Sequence, residues 1–357
     1  MNIKTVLKNH KRNVIIASAA AVIVILAGYV VLQSGAAGFF AFAEPEGSTI
    51  SGNAKLVNDA SASGGKAIAF NAPTTTPPPT TPPPATGTTT CPLPKYPTDS
   101  CVGVPAGKTL TTISGDYTAK AGEVIDGKRI TGSLIIGGSG VVIRNSEITG
   151  KIDNNAGSNS SRPSFTVEDS TMGPNSCGNI SDGVVGVSNY TAKRVRIKNQ
   201  PDGFRIAGSN VLIEDSYVTV CSVNPNDHSD GIQVYGAANA TNIVIRHNTI
   251  DQRSVTNGAA TAPIFIPTDA DRQGNNGVTV TVADNVVAGG GYGLRVYGTL
   301  PLTAYVTGNK VVNNSWGYGP VDVTCDKIKS WSGNAVVSFD WTTGVITQVR
   351  ALTDCGS

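Results

Sequence analysis

A short strand-like pattern recurs along the C-terminal part of the chain, and it constrains the fold more than any other feature. In each copy two apolar residues flank a variable one, and a polar pair follows. The copies are VVIRNS (141–146), FTVEDS (165–170), VRIKNQ (195–200), VLIEDS (211–216), IVIRHN (243–248), VTVADN (280–285), AYVTGN (304–309) and KSWSGN (329–334). Measured at the central apolar residue, successive copies are 24, 30, 16, 32, 37, 24 and 25 residues apart, an average near 27.

This spacing favours an all-β parallel solenoid, in which every turn of the chain stacks on the one before it. The intervals are too short for a strand–helix–strand unit and too irregular for propeller blades. Turns stacked at about 4.8 Å would bring the last polar residue of each copy into an interior ladder, whose side-chain hydrogen bonds satisfy buried groups. The predicted members are Ser146, Ser170, Gln200, Ser216, Asn248, Asn285, Asn309 and Asn334.

Charged residues keep the same register just ahead of the polar pair. They run Arg144, Glu168, Lys198, Glu214 and Arg246, so the charge alternates in sign from turn to turn. We interpret this column as a surface ion ladder, which is worth little per pair but helps to set the register.

A second strand-sized segment aligns in each turn without gaps. The segments are DGVVGV (182–187), DGFRIA (202–207), DGIQVY (230–235), APIFIP (262–267), YGLRVY (292–297) and GPVDVT (319–324). The alignment predicts a column of carboxylates on consecutive turns, Asp182, Asp202 and Asp230. It also predicts an outward column formed by Arg205, Gln233, Phe265, Arg295 and Asp322. The tyrosines on the same face are Tyr235, Tyr292 and Tyr297.

The segment NDHSDGIQVYG (226–236) concentrates groups that can do chemistry. Carboxylates stacked at about 5 Å repel each other unless a shared proton, a cation or a neighbouring arginine resolves the charge. A pair about 5 to 9 Å apart is what acid–base glycoside hydrolysis needs. We therefore take Asp202 and Asp230 as candidate catalytic carboxylates. His228 is the candidate proton carrier, because it lies on an insertion, where functional residues concentrate.

The same column offers two other roles. It could hold Ca²⁺ through oxygen ligands, with Asp182 and Asp227 as the candidate metal-binding residues. The alternative is structural, because Asp-Gly is a common turn dipeptide in which Asp caps its own backbone and Gly takes a positive φ.

Two further function classes stay open beside cleavage. A non-catalytic surface protein could bind glycan through stacking on Tyr235, Tyr292 and Tyr297, with Arg205, Gln233 and Arg295 supplying polar contacts. A spacer without a ligand is the third class.

Composition and charge limit the fold classes and the partners that this chain can have. The 357 residues include 41 glycines and 20 prolines, and only 15% are charged, which is typical of a turn-rich β protein. The formal net charge of +2 arises from 27 basic and 25 acidic residues spread along the chain. Because no polybasic face is evident, we expect no nucleic-acid partner.

The N-terminal region differs from the rest. An apolar run occupies 14–33, follows a basic stretch (1–13) and is long enough to span about 30 Å of hydrocarbon. The charge asymmetry predicts a single-pass anchor with 1–13 in the cytoplasm and the bulk outside. The alternative is a cleaved secretory signal, with AFA at 41–43 as its cleavage site. The Pro/Thr segment 72–90 is typical of an extended linker.

All six cysteines lie beyond this anchor and form no CxxC pair, so disulfides in an oxidising exterior fit better than metal ligation. Sequence proximity suggests the closures Cys91 with Cys101, Cys177 with Cys221 and Cys325 with Cys355, although the sequence does not fix the pairing.

Two resemblances add to these inferences. The segment 44–70 resembles the opening strands of carbohydrate-binding modules and is expected to form a short stalk. The coils, with PDGFRIAGSNVLIEDSYV, DHSDGIQV, IVIRHNTID and GGGYGLRV, look like right-handed parallel β-helix proteins of the pectin-lyase-like superfamily. The match covers about 102–340, and 341–357 is expected to cap the C-terminal end.

The superfamily resemblance implies a partner and an activity. The superfamily contains lyases, hydrolases, epimerases and adhesins. The resemblance therefore implies a polysaccharide partner without determining the reaction. QPDGFRI is similar to the NTDGI motif of polygalacturonases, whereas their GHG motif is absent here. By analogy with lyases, Ca²⁺ would neutralise a uronate, and Arg205 or Arg295 would remove the proton. We expect a membrane-anchored, extracytoplasmic protein that acts on polysaccharide.

Overall fold

The computed structural model describes residues 54–58, 66–70, 95–155, 162–177, 185–224, 226–255, 260–268 and 275–355. The predicted tail (1–13), anchor (14–33) and linker (72–90) lie outside these residues, as do Cys91 and Asp182. Within the described residues, no helix combines the length and the apolar character needed to cross a bilayer.

Two compact units divide the chain, residues 1–84 and residues 85–357. In the first unit, β1 (Ala54–Asn58) pairs antiparallel with β2 (Lys66–Phe70). Both strands fall within the segment 44–70 that the sequence assigns to a stalk.

The strands of the second unit form three sheets, and each sheet takes every third strand in chain order, except that the last two strands lie in the same sheet. Sheet A contains β4 (Tyr117–Ala119), β7 (Leu134–Ile136), β10 (Ile152–Asp153), β13 (Val185–Gly186), β16 (Phe204–Ile206), β19 (Ser229–Val234), β22 (Ala260–Thr268), β25 (Tyr292–Gly298) and β28 (Gly319–Val323). Sheet B contains β5 (Val124–Asp126), β8 (Val141–Arg144), β11 (Phe165–Glu168), β14 (Tyr190–Lys193), β17 (Val211–Glu214), β20 (Ile243–Arg246), β23 (Val278–Ala283), β26 (Leu302–Thr307) and β29 (Ile328–Ser332).

Sheet C contains β3 (Thr111–Ile113), β6 (Lys128–Ile130), β9 (Glu147–Ile148), β12 (Thr171–Met172), β15 (Arg196–Gln200), β18 (Tyr217–Val220), β21 (Thr249–Asp251), β24 (Val286–Ala288), β27 (Lys310–Val312), β30 (Ala335–Phe339) and β31 (Ile346–Ala351). The chain passes from sheet C to sheet A to sheet B and returns to sheet C one strand further on. Neighbouring strands are parallel except for β30 and β31 at the C-terminal end. A single 3-10 turn, Cys325–Lys327, is the helical element of this part of the structure. The all-β prediction is confirmed, and the parallel sheets are compatible with a β-helix solenoid.

The predicted register of the sheet B strands is confirmed except at the third copy. Val167 pairs with Ala192 rather than with Ile197, so β14 takes the place assigned to 195–200. That segment instead belongs to β15 in sheet C, where Ile197 pairs with Met172. Both segments alternate apolar and polar residues, so the pattern alone did not distinguish them. With this correction the second and third intervals become more even, at 25 and 21 residues.

The core consists of stacked apolar columns, one from each inward-facing strand position. In sheet B the central column is fully or almost fully buried through eight turns, by Ile125, Ile143, Val167, Ala192, Ile213, Ile245, Val282 and Val306. Burying one such aliphatic side chain contributes about 1.5–3 kcal/mol. Trp331 continues the column at half burial, and its indole Nε1 donates to the Leu352 carbonyl 2.8 Å away.

The corner after sheet B has one left-handed residue in each turn. Six of these residues are not glycine and have φ between 47° and 54°: Asn145, Asp169, Arg194, Asp215, His247 and Asp284. Asn and Asp tolerate this conformation best. The two less favourable residues are bonded to a column neighbour, since Arg194 Nε lies 2.7 Å from Asp169 and His247 Nδ1 lies 2.7 Å from Asp215. The sequence pattern therefore marks the sharp bend of every turn.

The predicted polar ladder lies directly after this corner. In its C-terminal half, each asparagine Oδ1 accepts a hydrogen bond from the backbone N–H of the preceding turn's ladder residue. The N···O distances are 3.0 Å for Ser216 to Asn248, 3.1 Å for Asn248 to Asn285, 3.1 Å for Asn285 to Asn309 and 2.9 Å for Asn309 to Asn334. The prediction is wrong at Gln200, because the register correction places Val195 in the ladder, where its N–H donates to Ser216 Oγ.

The register correction at the third copy also changes one member of the predicted ion ladder. Lys193 replaces Lys198, and the column runs Asp126, Arg144, Glu168, Lys193, Glu214 and Arg246, still alternating in sign. Burial alone would raise the pKa of Glu214, but hydrogen bonds from Lys193 and Arg246 hold it below its ordinary value.

Disulfide bonds constrain two loops. Cys177 is bonded to Cys221 and Cys325 to Cys355, as the sequence suggested. Cys101 is also disulfide-bonded. The second bridge connects to the C-terminal segment 341–357, in which β31 covers the edge of β30.

We expect Asn285→Ala to lower the free energy of unfolding by roughly 2–4 kcal/mol, because it leaves several buried backbone groups unpaired. Asn285 accepts from the Asn248 backbone and donates to the Ile245 carbonyl, both at about 3.0 Å. Urea unfolding of the full chain would measure this change. The control is Asn313→Ala, which removes an exposed amide and should cost little. Equal losses in the two variants would contradict a special role for the ladder.

Candidate functional site

The outer face of sheet A carries the residues that the sequence singled out. Arg205 pairs with Gln233, Gln233 with Phe265, Phe265 with Arg295 and Arg295 with Asp322 on consecutive turns. Their strand neighbours, such as Phe204, Ile206 and Ile232, are buried in the core. The predicted outward column is therefore present with the predicted register.

The alignment is wrong by one residue at its first turn. Val185 pairs with Phe204, whereas the sequence alignment sets it beside Arg205. Strand β13 has only two residues, so its short apolar segment fits either register equally well. Asp182 itself lies outside the described residues, and its role as a metal ligand stays a prediction.

Asp202 and Asp230 come together at the start of β16 and β19. The Asp230 backbone N–H donates to Asp202 Oδ1 over 2.9 Å, and the Ala262 N–H donates to Asp230 Oδ1 over 3.1 Å. Asp230 has no accessible surface and Asp202 has 6%. Each carboxyl thus caps the backbone of the next turn, which combines the turn role and the paired-carboxylate role that the sequence left open.

The two carboxyls differ in their electrostatic setting. Burial raises the pKa of Asp230 well above its ordinary value, and the negative charge of Asp202 raises it further. The Ala262 N–H, Arg205 and Arg295 oppose this shift only in part. Asp230 Oδ2 is buried without a hydrogen-bond partner in the described part of the chain. Burial and the charge of Asp202 therefore favour the protonated form of the Asp230 carboxyl.

Arg205 lies between this pair and the open face. Its Nη2 is 3.8 Å from Asp202 Oδ2, and its guanidinium carbon is 4.7 Å from the centre of the Tyr235 ring. Gln233 lies beside it, almost fully buried. The candidate binding residues Arg205, Gln233 and Tyr235 thus form one patch next to the carboxyls.

Arg295 forms a second patch two turns away. It makes two hydrogen-bond-length contacts with Asp322, at 2.9 and 2.8 Å. Three aromatic rings surround its guanidinium within 5.3 Å: Phe265, Tyr292 and Tyr297. A planar cation stacked among rings is a preorganised surface for hydroxyl-rich or charged ligands.

Sequence reasoning assigned no role to two aromatic residues at this patch. The alignment places Phe265 in the column without a function, and Tyr318, whose ring centroid is 5.7 Å from that of Tyr292, lies outside every aligned segment. The aromatic segment SWGYGP (315–320), which runs into the last aligned strand, is the sequence signal that indicates Tyr318.

The loop before β19 does not bring His228 into this pair. His228 is exposed, and among the described residues no contact joins it to Asp202 or Asp230. Asp227 is used inside the loop, where it accepts from Ser222 Oγ at 2.5 Å and from Asn224 Nδ2 at 3.0 Å. Asp227 therefore stabilises the loop.

The donor set at the carboxyl pair does not fit Ca²⁺, which takes six to eight oxygen ligands. Within the part of the chain that the structure describes, no three acidic, histidine or cysteine residues are grouped to hold a metal. One of the two available carboxyls, Asp230, has a raised pKa and so is a poor ligand. The pair instead offers a buried carboxyl with a raised pKa beside a second carboxyl.

The raised pKa of Asp230 predicts a pH-dependent stability. The unfolded carboxyl ionises near its ordinary pKa of about 3.9, while the folded one keeps its proton to higher pH. Between those values the unfolded state binds fewer protons, so the free energy of unfolding falls as pH rises, by at most about 1.4 kcal/mol per pH unit. We expect Asp230→Asn, which mimics the neutral acid, to lose this decline.

Urea unfolding at several pH values from pH 4 upward would compare Asp230→Asn with the wild type. The control is Asp326→Asn, which changes an exposed carboxyl and should keep the wild-type pH dependence. An unchanged slope in Asp230→Asn would show that Asp230 is ionised in the folded protein.

Comparison of the chain with protein-family models, with curated proteins and with solved structures found no match in any of the three. The residues on sheet A are accordingly the basis for the function proposed next.

Proposed function

We propose that this protein binds polysaccharide along the outer face of sheet A and cleaves it by hydrolysis at Asp202 and Asp230. The observation that carries the proposal is the fully buried carboxyl of Asp230, whose pKa is raised, beside the Asp202 carboxyl. Two carboxyls with separated pKa values are the usual arrangement of a general acid and its partner in glycoside hydrolysis.

The face suits a chain-like ligand. Adjacent strands of a sheet lie about 4.8 Å apart, so the column from Arg205 to Asp322 runs across five turns, with Gln233 and Phe265 almost fully buried within it. Rings such as Tyr297 stack on the apolar faces of sugars, and Arg205 and Gln233 can bond hydroxyl groups. A long row of repeated contacts fits a polymer better than a small compact ligand.

The roles in hydrolysis follow from the two environments. Asp230 would protonate the leaving oxygen, because its raised pKa favours the protonated form that a general acid needs. Asp202 would act as the carboxylate that attacks or activates water, and side chains on adjacent strands, about 5 Å apart, suit a retaining reaction. Since Asp230 is fully buried, the residues that cover it have to move when glycan binds. Elimination, with Arg205 or Arg295 as the base, is the second form of cleavage.

Binding without cleavage is the alternative, and one observation favours it. Asp230 accepts a backbone hydrogen bond and has no exposed surface, which also suits a structural cap. The ring-enclosed Arg295 could bind glycan without any reaction.

The placement of the protein is part of the proposal. We infer a right-handed coil, since parallel crossover connections are right-handed in about 98% of cases. The apolar run 14–33 would anchor the chain, with the coil held outside the cell on the linker 72–90. The alternative is secretion after cleavage of the N-terminal segment.

We expect Asp202→Asn and Asp230→Asn each to lower glycan cleavage by about 100-fold to 10,000-fold, because general acid–base groups contribute that much to rate. The assay incubates the full chain with uronate-containing and neutral polysaccharides, with and without Ca²⁺. It follows new reducing ends and the ultraviolet absorbance of unsaturated products. Reducing ends without absorbance indicate hydrolysis, and absorbance indicates elimination.

Asp326→Asn serves as the matched carboxyl control and should cleave at the wild-type rate. Circular dichroism should show that all three variants are folded. Full activity in both Asp202→Asn and Asp230→Asn would refute this catalytic pair. Glycan binding without cleavage by the wild-type chain would support the binding alternative.

A further inference from the structure

The outward column of sheet A has a gap at Gly186. Strand pairing puts Asp153 beside Gly186, and Arg205 follows on the next turn. A Cβ at position 186 would lie 2.8 Å from the Arg205 Cβ. A side chain at position 186 would displace Arg205, so no side chain of this column stands between Asp153 and Arg205.

A cavity of about 320 Å³ lies at this gap. Its charged lining residues are Lys151, Asp153, Arg162 and Arg205, and Tyr235 contributes an aromatic wall. The volume is at the lower end of the range of about 300–1,000 Å³ for small-molecule sites. The cavity is therefore large enough for one small ligand or one sugar unit.

Positive charge is in excess around the cavity. Its single carboxylate, Asp153, lies 3.1 Å from Lys151 Nζ, and the nearest acid to Arg205 is Asp202 at 3.8 Å. Burial lowers the pKa of Arg162, and Asp153 opposes that shift only in part. Three cations thus share one lining carboxylate and one neighbouring acid.

Several guanidinium donors in this region are unused. Arg162 Nε, Arg162 Nη1 and Arg205 Nε are buried and have no hydrogen-bond partner among the described residues. Buried donors left unpaired are costly, and charged donors more so. A ligand that brings negative oxygen atoms would offset this cost, because guanidinium groups bond carboxylate, sulfate and phosphate through paired N–H donors.

We propose that this cavity is a binding site for one anionic oxygen group, namely a carboxylate, sulfate or phosphate on a small molecule or a single sugar unit. Arg162 and Arg205 supply the principal charge, and Lys151 closes one side. Tyr235 supports Arg205 by stacking against its guanidinium at 4.7 Å. The site shares Arg205 and Tyr235 with the proposed glycan-binding face, but it requires no cleavage at Asp202 or Asp230.

Isothermal titration calorimetry on the full chain tests this proposal with four probes: inorganic sulfate, inorganic phosphate, glucuronate and neutral glucose, in chloride buffer of matched ionic strength. We expect saturable binding of at least one anion at one site per chain, and none of glucose. Preference for glucuronate would identify a sugar acid as the ligand class, and preference for sulfate or phosphate would identify an ester of that anion.

Variants locate the binding. Arg162→Gln should weaken anion binding about tenfold or more, since it removes a charged, bidentate donor. Lys151→Gln should weaken anion binding less. If Arg162→Gln fails to fold, the anion affinity of Lys151→Gln tests the proposal in its place. Arg350→Gln removes an exposed charge on β31 and should bind as the wild type does.

Absence of saturable binding for all three anions would overturn the proposal. So would wild-type affinity in both Arg162→Gln and Lys151→Gln, or an equal loss in Arg350→Gln. Anion binding that persists in Asp202→Asn, whatever its cleavage activity, would separate this site from the proposed reaction.

Discussion

Hydrogen bonds from corner side chains to the backbone of the neighbouring turn fix the register on which the rest of the structure depends. A parallel strand pair has no tight turn to set its alignment, and a slip of one residue would move every inward side chain to the surface. Asn248, Asn285, Asn309 and Asn334 oppose such a slip because each binds the backbone N–H of the preceding ladder residue. Left-handed residues before the ladder bend the chain at the same place in each turn.

The candidate site is a product of that register. Once the turns are aligned, side chains distant in sequence form columns about 4.8 Å apart, and Asp202 is brought beside Asp230 although 28 residues separate them. The stacking of turns also affects the ionisation of the pair, because two neighbouring buried carboxyls cannot both ionise without a large cost in free energy. Burial raises the pKa of Asp230 and the neighbouring Asp202 charge raises it further, while Asp202 accepts a backbone hydrogen bond. Gly186 shows the converse, since a missing side chain in a column leaves a cavity.

The repeat predicted the all-β fold and most of the register, because alternating apolar residues and corner asparagines are local signals. The prediction failed where two segments carried the same signal, as with Tyr190–Lys193 and the copy at 195–200. Asp202 and Asp230 could be paired from the alignment alone, but the burial that raises the pKa of Asp230 depends on the packing of other turns. Arg162 had no sequence signal, because it belongs to no aligned column. His228 drew attention as a rare residue in a polar loop, and its exposure could not be read from its neighbours.

The ion column in sheet B has a consequence for how such a coil can change in length. Its members alternate in sign through six turns, from Asp126 to Arg246. Duplication or deletion of one whole turn within this stretch would place two like charges side by side, which is destabilising in a sheet. Duplication or deletion of two turns would restore the alternation. The column thus gives the coil a parity, and tandem gain or loss of repeats here is tolerated best in even numbers.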